Sequence, residues 1–237
     1  MAPFLADQTM ESKAGVSFAF GGSASGISNP TPSGFIVPGL LGQVDLYTKA
    51  LKGKKARPNA LYTVWTGSND YLQGITGDPY TVVGNVAQAI RVLYASGARD
   101  FMVPNLPNLG RTPLVLSQGQ GPAFTQLTKA HNNLLEATLT SLSASLPKAR
   151  IVRVDVYALG EALVDSGVVS ADVPAIEFLA PGTGAVSCLF VNPAACIDVP
   201  QTGALPPFLF WDVLHPTTQV HGAIGTAMMQ ALTKANK

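Results

Sequence analysis

Charge, cysteine and long apolar runs are what this chain has least of, and each shortage excludes a class of protein. Only 12% of the 237 residues are charged, and 15 Lys and Arg against 14 Asp and Glu leave a net charge of +1. Such a surface carries no electrostatic footprint for nucleic acid or for an anionic membrane. The one basic run, Lys52 to Arg57, precedes a proline between a predicted helix and a predicted strand and reads as a solvated loop. No apolar run approaches the roughly 18 residues that span a bilayer, so no transmembrane segment is expected. The first residues, Met1 to Gln8, have neither a basic region nor a clean apolar one and do not read as a signal peptide. There are only two cysteines, Cys188 and Cys196, with no His or acidic cluster beside them, which makes a poor metal site. They read as a local disulfide in an exported protein, with two free thiols as the alternative.

What the chain does have is apolar content, glycine and proline: 47% hydrophobic residues, 23 Gly and 18 Pro. That composition belongs to an ordered, loop-rich globular protein, and the length suits a single domain over 1–237. Residues 15–21 read as a short strand entering a Gly-rich turn, Gly21 to Gly26, and Pro30 to Gly39 as loop. Leu40, Leu41, Val44, Tyr47 and Leu51 share one helical face. Ala60 to Thr66 reads as a buried strand ending at Gly67-Ser68-Asn69-Asp70. Val82 to Tyr94 marks a helix with Gly97 as its cap, Phe101 to Val103 a strand, and Pro104 to Pro113 a loop. A long helix follows with Phe124, Leu127, Leu134, Leu135, Leu142 and Leu146 inward, then a strand at Ile151 to Val154 and a short helix at Tyr157 to Val164. Residues from about 168 to 207 show no period, and Thr217 to Leu232 closes the chain as a helix. Strands alternating with helices predict an α/β fold with a mostly parallel sheet, whose ligands bind beyond the C-terminal strand ends.

The stretch richest in chemistry is Phe210-Trp211-Asp212-Val213-Leu214-His215-Pro216-Thr217. An Asp three residues before a His can hold the imidazole in one tautomer and stabilise its protonated form, which is the base half of a hydrolytic triad. Pro216 suits the first position of the following helix.

Three stretches together resemble the GDSL/SGNH family of lipases and esterases, in its bacterial lecithinase/haemolysin-like branch. Phe18-Ala19-Phe20-Gly21-Gly22-Ser23-Ala24 is similar to the family's second block, Gly67-Ser68-Asn69-Asp70 to its G-x-N-D block, and Asp212-Val213-Leu214-His215 to its D-x-x-H block. The Val103 to Pro107 loop and the Cys188 to Cys196 segment also look like this branch, in the same order from residue 15 onward. The departure is the first block, G-D-S-L, which carries the nucleophilic serine and has no counterpart here. Gly77-Asp78-Pro79 has proline where serine is needed, Asp165-Ser166-Gly167 ends a helix, and no G-x-S-x-G elbow exists.

The resemblance implies a three-layer, flavodoxin-like SGNH-hydrolase fold that could lack its first strand, leaving a gap with unpaired edges. Copies would then associate through those edges, or N-terminal residues would be recruited into the place. It implies hydrolysis of short-chain or lipid-like acyl esters without metal or organic cofactor, by a secreted or periplasmic protein. His215 would be the base, Asp212 its orienting partner, and the Gly22 N–H and Asn69 amide the oxyanion donors. Three readings of the nucleophile stay open. It lies upstream of this sequence; or Ser23 substitutes, with Ser25 and Ser68 next; or the chain binds acyl or glycosyl groups without turnover. His131 and His221 read as packing residues within helices.

Overall fold

The computed structural model describes residues 15–171 and 208–236, with the backbone of three short strands at Ala2–Pro3, Ile176–Phe178 and Cys196–Asp198. The chain forms two compact units: Met1–Pro104 with His131–Arg153, and Asn105–Ala130 with Val154–Lys237.

The first unit begins with β1 (Ala2–Pro3), which pairs in parallel with β2 (Val16–Ser17). N-terminal residues thus supply a partner for that strand. Next, β3 (Ser28–Pro30) and β4 (Ile36–Pro38) form an antiparallel hairpin where the sequence reads as loop. The local reason is polar: Thr31 N donates to Phe35 O at 2.7 Å and Gly34 N to Thr31 O at 2.8 Å, closing a tight turn that no hydrophobic period signals.

Helix α1 (Leu40–Ala50) buries Leu40 and Val44. Strand β5 (Leu61–Thr63) leads through a short connector to α2 (Ser68–Leu72). Helix α3 (Pro79–Ser96) is capped by Asp78, whose carboxylate accepts from Tyr80 N and Thr81 N at 3.0 and 3.1 Å. It ends at Gly97, with φ +123°, where a Cβ would stand 2.9 Å from the Ala56 carbonyl oxygen. Strand β6 (Asp100–Pro104) pairs in parallel with β5. Strand β7 (Arg150–Val154) completes the order β5-β6-β7. Its bonds run from Arg150 N to Arg99 O and from Asn105 N to Val154 O, advancing the same way along both strands as parallel pairing requires. Phe101, Ile90, Leu139 and Leu142, the last two on α5 (Gly121–Ser145), are fully buried at the centre of the core. Burying each such side chain is worth about 1.5–3 kcal/mol.

One expectation fails in this sheet. The strand predicted over Ala60 to Thr66 spans only three residues, and Leu61 and Thr63 are exposed. Among the described residues β5 is an edge, bonded on one flank and covered on one face, so only alternate side chains go inward. Tyr62 is the inward one, its ring centroid 5.7 Å from Tyr47 and 6.0 Å from Phe101.

In the second unit the Pro104 loop tightens into a 3-10 turn at Leu109–Arg111, and Pro113 then opens α4 (Pro113–Ser117) because proline's fixed φ suits the first helical position. Helix α6 (Val156–Asp165) is tied to that turn by Arg111, whose Nε and Nη2 donate to Glu161 Oε1 and Oε2 at 2.5 and 3.0 Å. Strands β8 (Ile176–Phe178) and β9 (Cys196–Asp198) pair antiparallel, and α7 (Thr218–Ala235) closes the chain. The side chains of Cys188 and Cys196, and with them the expected disulfide, lie outside the described residues. Helices alternating with parallel strands make this an α/β protein, as the sequence predicts.

Candidate active site

In the second unit the segment before α7 folds on itself. Phe210 bridges Pro216, and Trp211 N donates to His215 O at 2.7 Å. The tight loop so closed places Asp212 Oδ1 where it accepts the backbone N–H groups of Leu214 and His215 at 2.7 and 2.6 Å. Asp212 Oδ2 lies 2.8 Å from His215 Nδ1. The carboxylate is 3% exposed and the imidazole 52%, so one partner is locked inside while the other reaches solvent. Burial pushes the Asp212 carboxyl up, but the bonds from the His215 ring and from the two backbone N–H groups outweigh it and hold it below the ordinary carboxylate value. The same bond raises the His215 imidazole above its usual value, against the opposing effect of burial.

Pro216 is not the first residue of the helix. It sits in the bridge, and Thr217 takes the N-cap, its Oγ1 accepting from Val220 N at 3.5 Å and donating to Phe208 O at 2.9 Å. A hydroxyl can satisfy an orphan helix N–H and proline cannot, so the helix starts at Thr218, two residues later than expected.

The first unit joins the Gly22 turn to the Asn69 turn. Gly22 has φ +75°, and its carbonyl accepts from Asn29 Nδ2 at 3.0 Å and Gln73 Nε2 at 2.9 Å. Among the described residues its N–H has no acceptor. Asn69, on the first turn of α2, donates from Nδ2 to Ser23 O at 2.9 Å. Half-buried Ser23 receives Gln43 Nε2 on its hydroxyl at 3.1 Å. Ser25 is fully buried and its hydroxyl donates to Asp70 Oδ1 at 2.6 Å while accepting from Asn85 Nδ2 at 2.9 Å, a structural commitment that removes it from the candidate nucleophiles. Ser68 opens α2, half-buried.

The structure therefore brings Asp212 to His215, and Gly22 and Ser23 to Asn69. It also adds residues that the sequence reading gave no role. Asp70, the last residue of the G-x-N-D stretch, is buried and accepts both the N–H and the hydroxyl of Ser25, so it ties the two turns together. Burial pushes its carboxyl up, against the pull of those donors. The motif itself was the available signal, because a charged residue in such a turn needs a partner once the turn is buried. Asn29 and Gln73 carry no comparable pattern.

His131 is fully buried with Nδ1 2.8 Å from Tyr71 Oη, the packing role expected. His221 differs: it is exposed on α7. A cleft of about 550 Å³ in the second unit is lined by Arg111, Glu161, Lys129 and Tyr157 among others, and neither Asp212 nor His215 lines it. Among the described residues no group of three or more His, Cys, Asp or Glu could hold a metal, and no helix is long and apolar enough to cross a membrane.

An α/β chain carrying an imidazole oriented by a buried carboxylate has the general-base arrangement of the hydrolase class. The sequence model of the GDSL-like Lipase/Acylhydrolase family matches residues 2–228, and the chain belongs to that family. Relatives include the thermolabile hemolysin of Vibrio parahaemolyticus, 29% identical over 80% of this chain and 46% of that protein. A GDSL esterase/lipase of Arabidopsis thaliana is 26% identical over 68% of this chain and 46% of its own length. The phosphatidylcholine-sterol acyltransferase of Aeromonas hydrophila is 25% identical over 75% and 62%. The chain spans about half the length of the first two. A crystal structure of a lipolytic G-D-S-L family protein from Veillonella parvula aligns with TM-score 0.49 and 13% identity over 82% of this chain and 75% of that one. Family membership and the α/β organisation agree with the SGNH-hydrolase fold, and membership supports ester hydrolase or lipase activity in general terms.

Proposed function

We propose that this protein hydrolyses carboxylic esters of short-chain or lipid-like acyl groups by a Ser-His-Asp mechanism. The observation that carries the reading is the Asp212–His215 pair, with Nδ1 held on a buried carboxylate and the ring half in solvent. In that orientation Nε2 is the nitrogen that exchanges protons with substrate groups. The nucleophile in this reading is Ser23: its Oγ attacks the ester carbonyl as His215 takes the hydroxyl proton. The Gly22 N–H and the Asn69 amide hold the oxyanion, and the protonated His215 returns the proton to the leaving alcohol. A water activated by His215 then releases the acid and restores the serine. The turn at Gly22 supports the donor role through its N–H, which has no acceptor among the described residues. A relative named for phosphatidylcholine supports a lipid-like ester. Export to the periplasm or the exterior remains part of the same proposal.

A second reading is a ligand-binding domain without turnover. It is favoured by two engaged groups: Ser23 Oγ accepts from Gln43 Nε2 of α1, and Asn69 Nδ2 donates to the Ser23 carbonyl. Intact mass after treatment with a fluorophosphonate ester probe, followed by peptide mapping, separates the two. The hydrolase reading expects one adduct, on Ser23, that disappears in His215→Ala. A folded protein that takes up no probe refutes the mechanism and leaves the binding reading.

A further inference from the structure

The β3–β4 hairpin holds apolar side chains out into solvent on a backbone that is already fixed. Ile27, Phe35 and Ile36 are 73%, 72% and 69% exposed. In a slack loop such residues would fold back onto the protein. Here the tip is closed by the Thr31–Phe35 and Gly34–Thr31 backbone bonds, and Phe35 N also donates to Thr31 Oγ1 at 3.2 Å. Pro30 and Pro32 restrict the chain on either side of Thr31. At the root, buried Asn29 accepts Ala24 N–H at 2.8 Å and donates to Gly22 O, while Gly39 N donates to Ile27 O at 2.9 Å. The hairpin thus loses little conformational freedom when it docks.

Charge selects what it docks on. From Ala14 to Val44 the sequence has no Asp, Glu, Lys, Arg or His. A surface of anionic lipid is met by clustered Lys and Arg, and protein interfaces ring their apolar centre with polar and charged groups. A zwitterionic or neutral lipid surface requires neither, only apolar side chains that enter the boundary between headgroup and acyl chain. We infer that the β3–β4 hairpin is a wedge that docks this protein on zwitterionic lipid, with Phe35 and Ile36 entering the acyl boundary. The inference rests on the proposed hydrolase function only in making that lipid the form in which substrate is met. The Asn29–Gly22 bond then keeps the Gly22 turn at the foot of the docked hairpin.

Flotation with phosphatidylcholine vesicles tests this without requiring turnover. The wild type is expected to float, with binding indifferent to salt, and the double change Phe35→Ser, Ile36→Ser to weaken binding about tenfold or more. Both side chains are exposed, so an unchanged thermal midpoint is expected of the variant. Phe35→Trp is expected to give a vesicle-dependent blue shift beyond that of the wild type. Equal flotation of the double variant overturns the proposal. So does binding that needs anionic lipid and disappears with salt, which would assign the contact to the Lys52–Arg57 run. Hairpin-dependent dimerisation with no lipid binding would make a second copy the occupant and overturn it equally. Hydrolysis of a water-soluble p-nitrophenyl ester, measured alongside, reports separately on the hydrolase reading.

Discussion

At the scale of single residues the chemistry is set by burial and by who donates to whom. The Asp212 carboxylate raises the His215 imidazole above its usual value, so the form able to accept a proton accumulates only at higher pH. The acidic limb of kcat/KM for ester hydrolysis is therefore expected above pH 6.5, and Asp212→Asn should move it down while lowering the rate by about a hundredfold or more. A limb that stays in place in the variant would mean that Asp212 does not act through His215. His131 shows the opposite case, with burial pushing its imidazole from 6.5 down to about 4. Between those values the unfolded chain binds a proton that the native chain refuses, so stability falls as the pH falls through this window, by roughly 3 kcal/mol. Urea midpoints at pH 7 and pH 4.5 should show that loss in the wild type and a flatter slope in His131→Gln. The D-x-x-H spacing made Asp212 and His215 legible in the sequence. The partners of Ser25 were not legible, because Asp70 and Asn85 lie 45 and 60 residues away along the chain.

At the scale of elements, helices were easier to read than strands or turns. The period of Val82, Val83, Val86 and Ile90 identifies one buried face, and Asp78 and Gly97 punctuate α3 at either end. The Ala60 to Thr66 run predicts a longer and more buried strand than β5 because an apolar run does not say how many neighbours will flank it. The last helix depends on a cap that also holds the loop of Asp212 and His215. Thr217→Ala removes the bond to Val220 N and the bond to Phe208 O together. Its expected cost is about 1–2 kcal/mol by urea unfolding. Ester turnover should fall by more than any residual unfolding explains, and full activity in the folded variant would show that the cap and the loop act independently.

At the scale of the whole molecule, the flank of β5 that has no partner strand among the described residues is the feature that bears on assembly. Leu61 is exposed on this strand, and a strand edge left open with an apolar side chain would be a template for another chain. Self-association that rises with concentration and is suppressed by Leu61→Lys is expected in sedimentation velocity. A monomer at every concentration would exclude the edge as an association surface. The sequence by itself determined the α/β class, the family and the Asp212–His215 pair, because periodicity, capping and a three-residue spacing are local properties that survive without tertiary context. Only the tertiary structure decided that Ser25 is a tie and Ser23 the more accessible hydroxyl, that Asp70 joins two turns, and that the 28–38 segment is a rigid hairpin with its apolar tip exposed. Those outcomes depend on which polar groups meet across long stretches of chain once water is excluded, and no short window of sequence contains both partners.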